Sequence, residues 1–225
     1  MNTRFAKYID RAAKYYRKDN RYYHTIYHVL NMFEYFDAFE KEWDKEFTHL
    51  ETDWLYNDNR KEELFWSIAF HDAYYMPGFV KNEAFSADIA DVELFNEFFN
   101  GNLDIQGIKN NIISTIPTNT NFDRIIYFEN GQHKLVHDPM KMILHDLDWS
   151  GFSSIETLRK NETKIITEAV EVGGIKYDDA VNNQIKFYEA IKNKDLYVTS
   201  AFNQFNKVAK KNIKTRLDEL SVKGI

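Results

Sequence analysis

The sequence of 225 residues contains no cysteine. Disulfides and thiolate metal sites are thereby excluded, and any metal ion would have to be held by His, Asp or Glu. Proline occurs only at positions 77, 117 and 139, and there are eight glycines. Long stretches free of both favour helices. No run approaches the roughly 18 uncharged apolar residues of a membrane-spanning helix. Basic residues are not in excess: 29 Lys and Arg stand against 35 Asp and Glu, a formal net charge of −6. A general nucleic-acid coat, which needs a basic surplus, is not expected. Nucleotides are still compatible, because a bound metal can supply positive charge locally. The opening "MNTRFAKYIDRAAKYYRKDNRYY" is charged and amphipathic, without the apolar segment of a secretory leader. The expected location is the cytoplasm, without a membrane span.

Hydrophobic residues make up 44% of the chain and aromatics 16%, ample for a core, so disorder is not a serious reading. The length fits one large domain or two small ones. Apolar residues recur at helical spacing: Phe5, Ile9, Ala12, Ala13 and Tyr16; then Tyr27, Leu30, Phe36 and Phe39; then Leu64, Phe65, Ile68 and Ala69, leading to His71. A fourth helix is expected over 84–99, closed by Asn100-Gly101, a fifth over 105–116 before Pro117, and a sixth over 140–149. The last third suggests three more, over 154–170, 179–193 and 196–220. One segment breaks the pattern. In "RIIYFENGQHKLV", 124–136, two β-prone runs flank Asn130-Gly131, a strong hairpin signal. The expected fold is all-α with a small inserted β-hairpin.

Histidines and carboxylates gather in three places: His24 and His28 in "RYYHTIYHVL", His71-Asp72 in "SIAFHDAYY", and His145, Asp146 and Asp148 in "ILHDLDWSGF". His24 and His28 are four apart, on one helical face. Buried without partners, His71 and Asp72 would be costly. A divalent metal in a helical protein needs nitrogen and oxygen ligands from several helices. One His of the first cluster, the His-Asp pair and one Asp of the third would supply four.

The order His … His-Asp … Asp resembles the HD superfamily of metal-dependent phosphohydrolases, and more closely a branch described as predicted HD phosphohydrolases. The Arg-x-Tyr-His-x-x-x-His start is matched by Arg21, Tyr23, His24 and His28. Phe-His-Asp-Ala-x-Tyr is matched by Phe70, His71, Asp72, Ala73 and Tyr75, and Asn-Glu-x-x-Ser-Ala by Asn82, Glu83, Ser86 and Ala87. Asp-x-Asp near a glycine is matched by Asp146, Asp148 and Gly151, and the tail "LYVTSAFNQFNKVAKKNI" is similar to that of the branch. The bare His-Asp dipeptide is a weak signal; the ordered set of five segments is a strong one. One departure is "STIPTNT", where Thr115 is followed by no histidine although the branch often has Thr-x-x-His. A second metal, or that substrate contact, is then in doubt.

The resemblance spans nearly the whole chain. It implies a single HD-type helical bundle over 1–225, with a core of about 20–152 and C-terminal helices over 153–220. It implies hydrolysis of a small phosphate ester, most often a nucleotide, with a divalent ion (Mn, Mg, Co, Ni, Fe or Zn) as cofactor. The ligands implied are His28, His71, Asp72 and Asp148, with Asp146 as the alternative to Asp148 or as the group orienting a His ligand. Glu83 is the expected general base or acid. Arg21 and His24 are expected to grip the phosphate and assist catalysis, and Asn82 and Ser86 to contact substrate. Tyr74, Tyr75, Trp149 and Phe152 could stack on a base. Two other functions stay open: hydrolysis of cyclic or oligomeric nucleotides, and an inactive metal- or nucleotide-binding regulatory module. Homo-oligomerisation is also left open.

Overall fold

The structure is a computed structural model that describes residues 3–17, 21–47, 58–99, 101, 103–115, 124–129 and 132–222. Among these the fold is all-α with one small hairpin. In chain order the helices are α1 (Ala6–Ala12), α2 (Ile26–Phe47), α3 (Asp58–Phe70), α4 (Asn82–Phe99), α5 (Ile105–Ile113), α6 (Pro139–Asp148), α7 (Ile155–Glu171), α8 (Tyr177–Ile191), α9 (Ser200–Asn203) and α10 (Asn206–Val222). Short 3-10 turns flank α1 and follow α6. No described helix is long and apolar enough to cross a membrane.

The core is built around α3. Residues 63–70 are buried without interruption, so the second half of this helix has no solvent face and must be enclosed by its neighbours. α1, α2, α4, α5 and α6 all pack against it. Aromatic rings fill the space between α1, α2 and α3: Phe5 stacks on Phe33 at 4.5 Å, and Phe65 meets Phe5, Tyr8 and Phe36 edge-on. Such ring pairs add to simple area burial. At the far end of α2, Trp43 stacks on Phe202 of α9 at 5.5 Å and donates its indole N–H to Thr199 Oγ1.

Asp138 caps α6 by accepting from the Met140 N–H, with Pro139 in the first turn, and Ser154 caps α7 through the Thr157 N–H. Both are local start signals. Gly101, beyond the end of α4, has φ +75°, a conformation that favours glycine at a helix end. The hairpin is present as antiparallel strands β1 (Arg124–Glu129) and β2 (Gln132–His137), with Glu129 opposite Gln132; Asn130-Gly131 itself lies outside the described residues.

The tail departs from the sequence reading. Instead of one helix over 196–220 there are two, and α10 begins only at Asn206. The stretch 196–199 is largely buried, non-helical backbone whose N–H groups are held by side chains. Asn206 accepts from the Leu196 and Tyr197 N–H groups and donates to Tyr197 O. Asp146 accepts from the Val198 and Thr199 N–H groups and from the Thr199 hydroxyl. These long-range partners replace the helical ladder, and no local periodicity encodes them.

Removing Asn206 leaves buried backbone groups unpaired, at about 1–3 kcal/mol each. Asn206→Ala is therefore expected to lower unfolding stability by at least about 2 kcal/mol in a urea titration, with helix content retained. A change under about 0.5 kcal/mol would mean that the 196–199 segment is held by packing alone.

Candidate metal centre and its cavity

Three helix ends meet at one point. α3 ends at Phe70 and delivers His71 and Asp72; α6 ends on Asp148; α2 begins at Ile26, which puts His28 in its first turn. A helix C-terminus carries a partial charge of about −0.5. Two such ends, each bearing a carboxylate, make the junction electronegative, so a cation is the species it favours.

The donor atoms of His28, His71 and Asp148 all lie within 4.8 Å of one another. His28 Nε2 is 3.0 Å from Asp148 Oδ1, and His71 Nε2 is 3.7 Å from the same oxygen. Asp72 flanks this trio, its Oδ2 being 3.0 Å from His71 Nε2 and 4.0 Å from His28 Nε2.

His71 reveals what the junction needs. The residue is 1% exposed. Its Nδ1 lies 2.9 Å from Ile68 O, and since a carbonyl only accepts, Nδ1 carries the hydrogen. Nε2 is buried and makes no hydrogen bond among the described residues. In a neutral ring its lone pair would face the carboxylate oxygens of Asp72 and Asp148, an arrangement that demands a positive species between them, either a proton or a metal ion. Burial pulls the His71 imidazole down, but with no ion bound Asp72 and Asp148 outweigh it and hold its pKa at about 9. Burial would raise the Asp72 carboxyl, yet the neighbouring imidazoles keep it well below the usual range. Two imidazoles and a carboxylate suit a first-row divalent ion, and the backbone bond to Nδ1 is the kind of support that orients a metal-binding histidine. The His28-His71-Asp148 group could hold a metal ion.

Comparisons with known families, curated proteins and solved structures find no match. The centre is therefore read from its own chemistry.

The other residues singled out in the sequence fall into two groups. Glu83 and His24 line the same cavity as Asp72 and Asp148. Burial first, then the charges of Asp72 and Asp148, push the Glu83 carboxyl up. His24 Nδ1 is 2.6 Å from Glu168 Oε2, and its ring stacks on Tyr75 at 3.3 Å.

Arg21, Asn82 and Ser86 are not among the described residues lining that cavity. The Arg21 guanidinium donates to His24 O, Asp72 O and Ala73 O and lies 5.4 Å from the Tyr16 ring, so it closes the C-terminus of α3. Asn82 accepts from the Met76 N–H and donates to Met76 O; Ser86 does the same for Tyr74. Both fasten the 71–81 loop to α4. Asp146 faces the 196–199 segment, and burial pushes its carboxyl up to about 7 against three hydrogen bonds that favour the ion. Asp148 is the carboxylate in the trio.

The cavity beside the centre has a volume of about 350 Å³, within the range of small-molecule sites. Its polar end is Asp72, Asp148, His24 and Glu83; its wall is Trp149, Phe152, Phe187 and Tyr188, with Asn161, Glu162 and Gln184 as polar groups. Of the aromatics named in the sequence, Tyr75, Trp149 and Phe152 line it and Tyr74 does not.

Sequence reading missed the contribution of α7. Glu168 is 1% exposed and holds both His24 and the Tyr22 N–H. The available signal was spacing: Thr157, Asn161, Lys164 and Glu168 recur at intervals of four, three and four, a polar stripe on one helical face. Such a stripe ordinarily faces solvent, so the sequence alone did not distinguish it.

Loss of a ligand should exceed the 10–100-fold cost typical of a supporting partner. His71→Ala and Asp148→Ala are each expected to weaken Mn²⁺ binding by more than roughly 100-fold in calorimetric titration. Asp146→Asn is expected to keep the metal and lower the melting temperature. Metal loss in Asp146→Asn with retention in Asp148→Ala would exchange the two roles.

Proposed function

We propose that the chain is a metal-dependent phosphohydrolase of the HD type acting on a small phosphate ester, with nucleotides as the favoured class. The observation that carries this reading is the buried His71 Nε2, which makes no hydrogen bond among the described residues and faces two carboxylate oxygens at 3.0 and 3.7 Å beside a cavity of about 350 Å³. The motif order His28, His71-Asp72, Asp148 agrees with it. The aromatic wall of Trp149, Phe152 and Phe187 favours a substrate with a planar ring.

His28, His71 and Asp148 would hold the ion, with Asp72 beside them. A divalent cation bound there would supply positive charge toward phosphoryl oxygens and lower the pKa of a water toward neutrality. Glu83 takes the proton from the attacking water; its raised pKa brings it closer to the working range of a general base. Glu168 holds the Nδ1–H of His24, which leaves Nε2 to carry a proton to the leaving oxygen.

One feature favours a second reading. Thr115, in the cavity wall with its hydroxyl donated to Ile112 O, is followed by no histidine, although the branch often has Thr-x-x-His. A protein that binds metal and nucleotide without turnover would be a regulatory module.

The test is hydrolysis with added Mn²⁺ across nucleoside monophosphates, cyclic and oligomeric nucleotides and a generic phosphomonoester. Release of phosphate from a monophosphate is expected. Binding of metal and nucleotide without release of any product would support the regulatory module. In an active protein, Glu83→Gln is expected to keep metal and fold and to lose roughly 10²–10⁴-fold in turnover, the usual contribution of a general base. Unchanged turnover would remove Glu83 from the mechanism.

A further inference from the structure

A second, smaller hollow of about 40 Å³ adjoins the main cavity, and the two share Tyr23, Asp148, Gly151 and Asn161. His28 and Lys164 also line it. Its volume suits a few waters or a single tetrahedral oxyanion. Lys164 is half-buried and pairs with no carboxylate among the described residues; burial first, then repulsion from Lys160, lowers its pKa. It is thus a cation beside a candidate metal centre, with Asp148 the carboxylate lining the same hollow.

Asn161 lies one turn earlier on α7, against Gly151. A Cβ at position 151 would come within 2.5 Å of Asn161 Nδ2, so only glycine lets this amide lie there, three residues from Asp148. Arg21, the expected phosphate grip, is engaged by backbone carbonyls.

We propose that Lys164 and Asn161 form the anion subsite of the centre, holding the phosphoryl group of a phosphate monoester in the small hollow while the large cavity takes the rest of the substrate. This rests on the phosphohydrolase reading and narrows its substrate class. An ammonium has three donors and no acceptor, and an amide adds two donors, which together match the oxygens of a phosphoryl dianion. A diester phosphoryl group carries one negative charge where a monoester carries up to two, and so offers less to an ammonium, which disfavours cyclic and oligomeric nucleotides.

The test is calorimetric titration of inorganic phosphate into Mn²⁺-loaded protein. A hydrogen bond from a charged group predicts that Lys164→Gln weakens phosphate binding roughly 10- to 100-fold, with bound metal and melting temperature unchanged. Lys164→Arg is expected to retain most of the affinity. Lys160→Gln, which alters an exposed neighbour, should stay within about twofold. Gly151→Ala should weaken phosphate binding by displacing Asn161. In turnover, Lys164→Gln should raise KM for a monoester, and wild-type protein should prefer monoesters to diesters. Equal phosphate affinity in wild type and Lys164→Gln, or no phosphate binding by wild type, overturns the subsite. Phosphate binding that depends on Lys164, in a protein that hydrolyses no ester, upholds the subsite and defeats the hydrolase reading instead.

Discussion

The constraint on which the centre depends is an imidazole nitrogen that must face two carboxylates. Ile68 O fixes the His71 hydrogen on Nδ1, so Nε2 meets Asp72 and Asp148 with a lone pair unless a positive species stands between them. Both acidic residues lie at helix C-termini, where the backbone already opposes negative charge. A fold that kept such a junction without a cation would hold charge against charge in a buried place. The surrounding architecture acts to keep it in position. α3 is enclosed on every side over its second half, so His71 has little freedom to turn away.

The parts around the junction serve as supports. Arg21 closes the end of α3 through backbone carbonyls, and Asn82 and Ser86 fasten the loop that follows. Asp146 fastens the 196–199 segment, so the same turn of α6 that presents Asp148 to the centre is bound to the C-terminal part of the chain. This division places motif residues outside the cavity without making them dispensable: a ligand set is only as well oriented as the backbone that carries it.

α7 supplies the other side of the site. Glu168 holds His24, while Asn161 and Lys164 line the hollow beside Asp148. The positive charge thus comes from a helix remote in sequence from the His-Asp pair. Carboxylates and imidazoles stand on one side and, on the other, an ammonium that makes no ion pair among the described residues.

Much of the fold was legible in the residues. Spacing of Phe5, Ile9 and Ala12, of Leu64 to Ala69, and of the apolar positions of α4 to α8 encodes helices locally, and the runs on either side of Asn130-Gly131 encode the paired strands. The clustering of His28, His71 and Asp148 was visible as chemistry, because acidic and imidazole groups in apolar surroundings need a partner. The break at 196–205 was not visible, since Asn206 and Asp146 satisfy that backbone across the fold. Nor were the tasks of Arg21, Asn82 and Ser86, because a polar residue named by a motif can face either a ligand or a loop. By itself the sequence determined the helical class, the hairpin and the residue types able to bind a cation, all properties of local pattern and side-chain chemistry. Only the tertiary structure decided that Asp148 rather than Asp146 faces the histidines, and that α7 brings Glu168 and Lys164 to the site. Those outcomes depend on which helix ends meet, and that is set by packing between segments far apart in the chain.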